Sequence, residues 1–442
     1  MTITSLRLHN FRCFRDTGAV PIRPLTVIFG RNNAGKSSLI QAFFLLRQTL
    51  DRPESGERLN IRGPLYPAGA YSDIVHQHLA STNIVMEFGV RLSAAKEEAE
   101  VRLEFCSDEP QAPRLVSLRL SPRRGLTVEV RRGRGRGGPY ELHVDGENLG
   151  GERASNFRLA VNQFLPLIGP EPLRPGRPSP RRELARQLAR VTLKQFAEDL
   201  LAIRAVGPFR EQPARRYDYA GRPAEAVDLR GEAVVHALID DAMRRGKHRG
   251  ALLRPINRWL ARVGKLRLLP LRRISPTVRL YELRMRDIDS GRWANFADVG
   301  FGIGQALPVL VEGLRTPPAG VFIVQEPEIH LHPDAQLAMA DYLVDLARSG
   351  RTVIVETHSE AVLLRIRGAA VRNSSSGSRP KLRPEEIAII HVSGRTTGAS
   401  AVSSLSVDQL GQIEGWPTGF MEEVTKERLD LLESMARRAE ES

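Results

Sequence analysis

The sequence predicts an α/β fold that carries an antiparallel β side lobe and a helical insert, with no long coiled coil. Three observations predict it. Short apolar runs, each followed by a helical pattern, occur near the start and again after Phe296, as buried parallel strands and their crossover helices do. Between residues 83 and 144 the pattern changes to alternating stretches such as NIVMEFGVRL, VRLEFC, LVSLRL and LTVEV, the mark of an antiparallel meander with one buried face. Neither sustained heptads nor an internal repeat interrupts this plan.

Taken in order, Ile3 to Leu8 alternates like a strand, and Leu25 to Phe29 is a β-branched and aromatic strand bounded by Pro24 and Gly30. A helix follows over 35–50. After the meander, residues 165–181 are rich in Pro and Gly, which break both helices and central strands, so a long loop is expected there. Helices are expected at 182–204 and 232–262. From Phe296 the order becomes helix, strand, helix, strand, helix, with AGVFIVQ and RTVIVET as the strands. A loop at 371–384, a last strand IAIIHV and a charged helix at 419–440 complete the chain. The expected division is 1–165, an N-terminal lobe; 166–290, loop and helical insert; 291–395, a C-terminal lobe; and 396–442, a short extension.

With 442 residues, 41% hydrophobic and 26% charged, the chain is long enough to bury a core without disulfides or structural metal, and its composition excludes wholesale disorder and collagen-like repeats. Two cysteines, Cys13 and Cys106, exclude a disulfide scaffold and favour a reducing compartment. The amino terminus lacks an apolar leader and no stretch approaches the roughly 18 apolar residues of a membrane helix, so a cytoplasmic protein without a membrane partner is expected. The formal charge of +14 attracts polyanions, DNA among them. The excess is almost all Arg, a bias that a GC-rich coding sequence also produces. The run Arg131-Arg132-Gly133-Arg134-Gly135-Arg136 is a candidate phosphate-tracking contact, or equally a solvated hairpin tip.

Gly30-Arg31-Asn32-Asn33-Ala34-Gly35-Lys36-Ser37 fits G-x-x-x-x-G-K-[ST] and is followed by Ser38. It lies directly after an apolar strand and at a helix start, the context in which backbone N–H groups cradle phosphate, Lys36 reaches the terminal phosphates and Ser37 ligates Mg²⁺. ATP and Mg²⁺ are the expected cofactors. A second apolar strand ends in Gln325-Glu326-Pro327-Glu328, an end that places carboxylates beside the phosphate loop, where one polarises the attacking water and another helps hold the metal. A third ends in Glu356-Thr357-His358, where a lone His is more often a loop or capping residue than a catalyst. A metal site of His330, His332 and His358 is the competing reading, without the helical spacing that would support it. Between these motifs, DVGFGIGQALPVL runs glycines into an amphipathic helix.

These motifs, with the LHNFRCF start, GPFREQP, QEPEIHLHP, ETHSE and the terminal GWPTGF, make the chain resemble the ABC-type ATPases of the RecF, SMC and OLD-like group, and within it bacterial AAA family ATPases with a short C-terminal domain of unknown function. The resemblance implies an ABC-ATPase head of the P-loop NTPase class that pairs head to head on ATP. It implies Glu326 as general base and His358 as the switch residue; both are the expected catalytic groups. It also implies that Gly30, Asn32, Asn33, Ala34, Gly35, Lys36, Ser37 and Ser38 bind nucleotide, with Arg12 touching a phosphate. Gly302, Gly304 and Gln305 would cap the nucleotide of the opposite subunit. The implied metal ligands are Ser37, Gln77 and Gln325. Gly304 stands where the family has Ser, and Gln325 where it has an acid, so slow turnover is expected. The resemblance further implies a homodimer, a separately encoded effector and a role as a switch in anti-phage defence. A RecF-like DNA-repair ATPase and a nucleotide-binding scaffold with little hydrolysis are the alternatives.

Overall fold

The computed structural model describes residues 2–52, 58–92, 97–107, 113–133, 140–151, 159–162, 164–168, 180–219, 221, 229–244, 249–275, 278–371, 382–394, 398–408, 411–416, 430–431 and 433–435. Two large sheets organise them. One is seven-stranded, in the order Arg204–Val206, Val321–Gln325, Thr352–Glu356, Leu25–Gly30, Ile387–Ser393, Ala401–Val407, Ile413–Glu414. The first five strands are parallel and the last two add antiparallel at one edge.

The period of two along the parallel strands separates two cores. Ile28, Ile323, Ile354 and Ile390 face one side, while Val27, Phe29, Phe322, Val324, Val353 and Val355 face the other. On the first side lies the helix Lys36–Leu50, whose Leu39, Ile40, Phe43 and Leu46 are buried between this sheet and a second one. The second side is covered by the helices Val234–Met243, Leu253–Gly264, Phe301–Arg315, Pro333–Arg348 and Glu360–Val371, which share its core. A strand buried on both faces needs a continuous apolar run, which is why VFIVQ and TVIVE contain almost nothing else.

The second sheet is nine-stranded and antiparallel, and it is larger than the side lobe expected from the meander. The strands from Ile84–Arg91 to Glu147–Gly151 are continuous with the first strand, Thr2–Phe11, which pairs with Ile84–Arg91 over most of its length. Phe43 and Phe196 both pack on Phe88 of this sheet, at ring separations of 5.7 and 5.2 Å.

Other expectations change. The loop expected from 165 starts later: Leu165–Ile168 pairs antiparallel with Leu159–Asn162, and residues 169–179 lie outside the described residues. The helix expected at 182–204 is Pro180–Leu201, and its last residues give way to Arg204–Val206, a parallel strand too short to show a period. The run 232–262 is two helices rather than one. Residues 266–295, the end of the expected helical insert and the start of the expected C-terminal lobe, form small antiparallel hairpins instead, including Leu266–Leu268 with Arg284–Asp287 and Trp293–Asn295. The tip at Arg134 and Arg136, the loop over 372–381 and nearly all of the helix expected at 419–440 fall outside the described residues. No helix among the described residues is long and apolar enough to cross a membrane.

Candidate active site

The phosphate loop joins the buried strand Leu25–Gly30 to the helix that begins at Lys36. Two glycines are sterically required. Gly30 has φ +151°, and a Cβ there would run into the Val392 carbonyl of the neighbouring strand; Gly35 has φ +105°, and a Cβ there would strike Cys13 Sγ. Asn33 takes a left-handed φ of 61° between them. Arg31, Asn32 and Asn33 are exposed and Ala34 is buried, so the loop is anchored from beneath and open above. Lys36 is buried and its Nζ donates to the carbonyls of Gly30 and Arg31 at 3.1 and 2.9 Å. Burial pushes the Lys36 ammonium pKa down, opposed by the charges of Glu356 and Glu326.

Arg12 lies alongside, its guanidinium bonded to the Tyr66 hydroxyl and, at 3.3 Å, to the Asp73 carbonyl. It lines a cavity of about 260 Å³ together with Asn33, Gly35, Ser38 and Gln77. Arg12 and Gln77 therefore stand beside the phosphate loop from separate segments. Ser38 is buried under the loop near Cys13, with 3.7 Å between Sγ and Oγ.

The carboxylates come from two parallel strands on one side of the phosphate-loop strand, Thr352–Glu356 beside it and Val321–Gln325 one further out. Gln325, Glu356 and Ile28 are in register across three adjacent strands. Glu356, 3% exposed, accepts from Ser37 Oγ at 2.7 Å on one oxygen and from Gln325 Nε2 at 2.6 Å on the other. Burial pushes its pKa up, and those two hydrogen bonds and Lys36 pull it back. Sequence reasoning missed Glu356 because its importance follows from strand adjacency, which no local motif carries.

Glu326 follows Gln325 with φ 47°, its N–H bonded to the Glu356 carbonyl at 2.7 Å. That turn aims its carboxylate outward, where Oε1 lies 3.7 Å from His358 Nε2. His358 is held by Glu328, whose Oε1 accepts from the His358 N–H at 2.8 Å, from the Thr357 hydroxyl at 2.6 Å and from the Ser359 N–H at 3.1 Å. Burial lowers the His358 pKa and Lys36 lowers it further, while Glu326 and Glu328 raise it. The net direction favours the neutral ring.

A hydroxyl and a carboxylate, both hard oxygen donors, meet at Ser37 and Glu356, with the Gln325 amide N–H on the other carboxylate oxygen, and the two oxygen donors fit Mg²⁺. Histidine is not among them. His332 caps the helix Pro333–Arg348 through Nδ1, and His330 packs its ring edge-on against Phe301 at 4.7 Å. No group of three or more His, Cys, Asp or Glu side chains among the described residues is arranged to hold a metal, so the competing three-histidine reading is not supported.

The glycine-rich helix Phe301–Arg315 sits against the same strand end. A Cβ on Gly302 would meet the His330 carbonyl, and one on Gly304 would lie 2.9 Å from Pro213. Gln305 is 2% exposed and bonded to the Arg210 carbonyl at 3.4 Å. Of the three residues expected to cap an opposite nucleotide, Gly304 and Gln305 are therefore turned into their own chain. At the helix start Gly300 and Phe301 are exposed, Phe301 by 45%, while Gly302 is half-buried against the His330 carbonyl. Arg210, in GPFREQP, joins these parts: its buried guanidinium donates to the carbonyls of Gly207, Gln305, Gln325 and Glu326 at 2.8 to 3.2 Å. Burial lowers its pKa to about 10, still charged at neutral pH.

A phosphate-loop strand separated from the acidic strand by the strand that leads into His358, with a glycine-rich helix docked on the acidic strand end, defines an ABC-type ATPase. The chain belongs to the family described as AAA domain, putative AbiEii toxin, Type IV TA system, which matches residues 25–365. No curated protein matches it. Similar solved structures are an SMC head bound to the C-terminal winged-helix domain of ScpA, at 14% identity and TM-score 0.45, covering 92% of this chain and 99% of that one. The SMC head domain from Thermotoga maritima gives 12% identity and TM-score 0.40, covering 92% of this chain and 100% of that one. The Smc head with extended coiled coil from Pyrococcus furiosus, bound to the C-terminal domain of ScpA, gives 13% and 0.41, covering 98% and 99%.

Proposed function

We propose that the chain binds and slowly hydrolyses ATP, pairs head to head with a second copy on doing so, and acts as a switch for a separately encoded effector in anti-phage defence. One observation supports this reading above the others. Lys36, Ser37, Glu326 and His358 stand together at the ends of three adjacent strands and the helix that follows the first. Lys36 exchanges its two carbonyl hydrogen bonds for the terminal phosphates. Glu326, outward-facing, takes a proton from the attacking water, and neutral His358 donates from its ring to the γ-phosphate region. Mg²⁺, when bound at Ser37 Oγ and its neighbours, neutralises charge on the phosphate oxygens. The helix start, exposed at Gly300 and Phe301 and half-buried at Gly302, supplies N–H groups to the nucleotide of the opposite copy.

The test is molar mass in solution with and without ATP and Mg²⁺, paired with phosphate release. A mass that doubles with ATP, a doubled state that persists in Glu326→Gln, and phosphate release abolished in that variant are expected. An unchanged mass with rapid release would overturn the switch reading.

A second reading, contact with a nucleic-acid backbone, is favoured by a groove of about 850 Å³ in the insert. It is lined by Arg249, Arg254, Arg258 and Arg267 over Leu253, Leu268 and Leu271, with no carboxylate among its lining residues. The salt dependence of duplex binding checks it.

A further inference from the structure

In this chain the residue at the end of the acidic strand is Gln325, which carries no charge, yet the position beneath the phosphate loop still holds one carboxylate. It comes from the next strand. We infer that Glu356 is the anionic ligand of the nucleotide-bound Mg²⁺, and that Gln325 acts on the metal only by orienting that carboxylate.

Three observations carry the inference. The first is reach: Gln325 and Glu356 are opposite one another in the parallel ladder, and adjacent strands lie only about 4.8 Å apart, so a carboxylate on either strand serves the same point above the sheet. The second is burial. Glu356 is almost fully enclosed, and its hydrogen-bond partners are a hydroxyl and an amide rather than a cation; the nearest ammonium, Lys36, spends its hydrogen bonds on Gly30 and Arg31 carbonyls. A carboxylate taken out of water without an ion pair is costly to keep, and a divalent cation beside it removes that cost. The third is orientation. Ser37, the one metal ligand that the phosphate-loop motif itself supplies, already contacts Glu356 Oε1, while the Gln325 amide fixes Oε2 from the far side. The carboxylate is thus clamped between a ligand and an orienting group, as metal-binding carboxylates are by their surrounding hydrogen bonds.

The inference rests on the ATP-binding reading and is separable from it. The affinity of a fluorescent ATP analogue would be measured with Mg²⁺ and with EDTA, and Mn²⁺ bound in the ternary complex would be followed by electron paramagnetic resonance. Wild type is expected to bind more tightly with Mg²⁺. Glu356→Gln should lose that gain, roughly tenfold or more, while its affinity in EDTA stays unchanged, which also shows that the variant is folded. Gln325→Asp combined with Glu356→Gln returns a carboxylate from the other strand and should restore both the gain and the Mn²⁺ signal. If Glu356→Gln keeps the gain within about twofold, or loses affinity equally in EDTA, Glu356 is a structural strut of the loop and the inference is wrong. If wild type binds ATP but gains nothing from Mg²⁺, the inference falls and the ATP-binding reading stands. If wild type binds no ATP in either buffer, both fall.

Discussion

At the scale of single residues, the site works by placing each charge against a specific opponent. His358 illustrates this. Burial and Lys36 hold its pKa below the usual 6.5, and Glu326 partly offsets them. Imidazole resonances followed by NMR should therefore titrate below 6.5, and Glu326→Gln should move the midpoint lower still, because the charge that favours imidazolium is gone. As pH falls from neutrality, the neutral ring persists until that depressed midpoint is crossed; only below it does the ring carry a proton. A midpoint above 6.5, or one that rises in the variant, would contradict the geometry. The residues legible in the sequence were those whose chemistry is local: Lys36, Ser37, Glu326 and His358 each sit in a contiguous motif. Glu356 and Arg210 also lie in motifs, ETHSE and GPFREQP, but their roles depend on partners 319 and 95 to 116 positions away in the chain, and no spacing rule encodes those partners.

At the scale of elements, the phosphate loop is set by backbone conformation as much as by side chains. Gly30→Ala must shift the Ile387–Ser393 strand, since the added Cβ meets a backbone carbonyl rather than a flexible side chain. Gly18 has φ +63° with nothing within 4 Å of its Cβ position, so Gly18→Ala carries only the conformational cost, about 1 kcal/mol. Denaturant unfolding should place Gly30→Ala at least about 2 kcal/mol below wild type, well beyond that control. Equal losses would show that the strand yields freely. Elements with a strong pattern, VFIVQ and TVIVE as continuous apolar runs and the meander by its alternation, were legible from sequence. Arg204–Val206, the hairpins within 266–295 and the break between 243 and 253 were not, because three-residue strands have too few positions to display a period and tertiary pairing decides them.

At the scale of the whole molecule, charge and architecture point to different faces. The reacting groups cluster over the parallel sheet, whereas the arginine groove lies on the insert helix Leu253–Gly264 and its hairpin. If duplex DNA binds there, Arg254→Ser with Arg258→Ser should lower the slope of log affinity against log salt by about 2, near 0.9 for each phosphate no longer neutralised, and leave ATP affinity intact. An unchanged slope would exclude that groove. The parallel core was legible as a class, but the antiparallel sheet was not legible as one piece, because the pairing of Thr2–Phe11 with Ile84–Arg91 spans more than seventy residues. Arg210 has a consequence at this scale as well. One planar guanidinium bonds four carbonyls drawn from its own loop, the glycine-rich helix and the acidic strand end. Three segments that could otherwise tilt independently share one set of degrees of freedom. A displacement of the strand end then pulls through Arg210 on the glycine-rich helix at Gln305, so that the helix start at Phe301, 24 residues before Gln325 in sequence, is mechanically tied to the reacting end of the sheet.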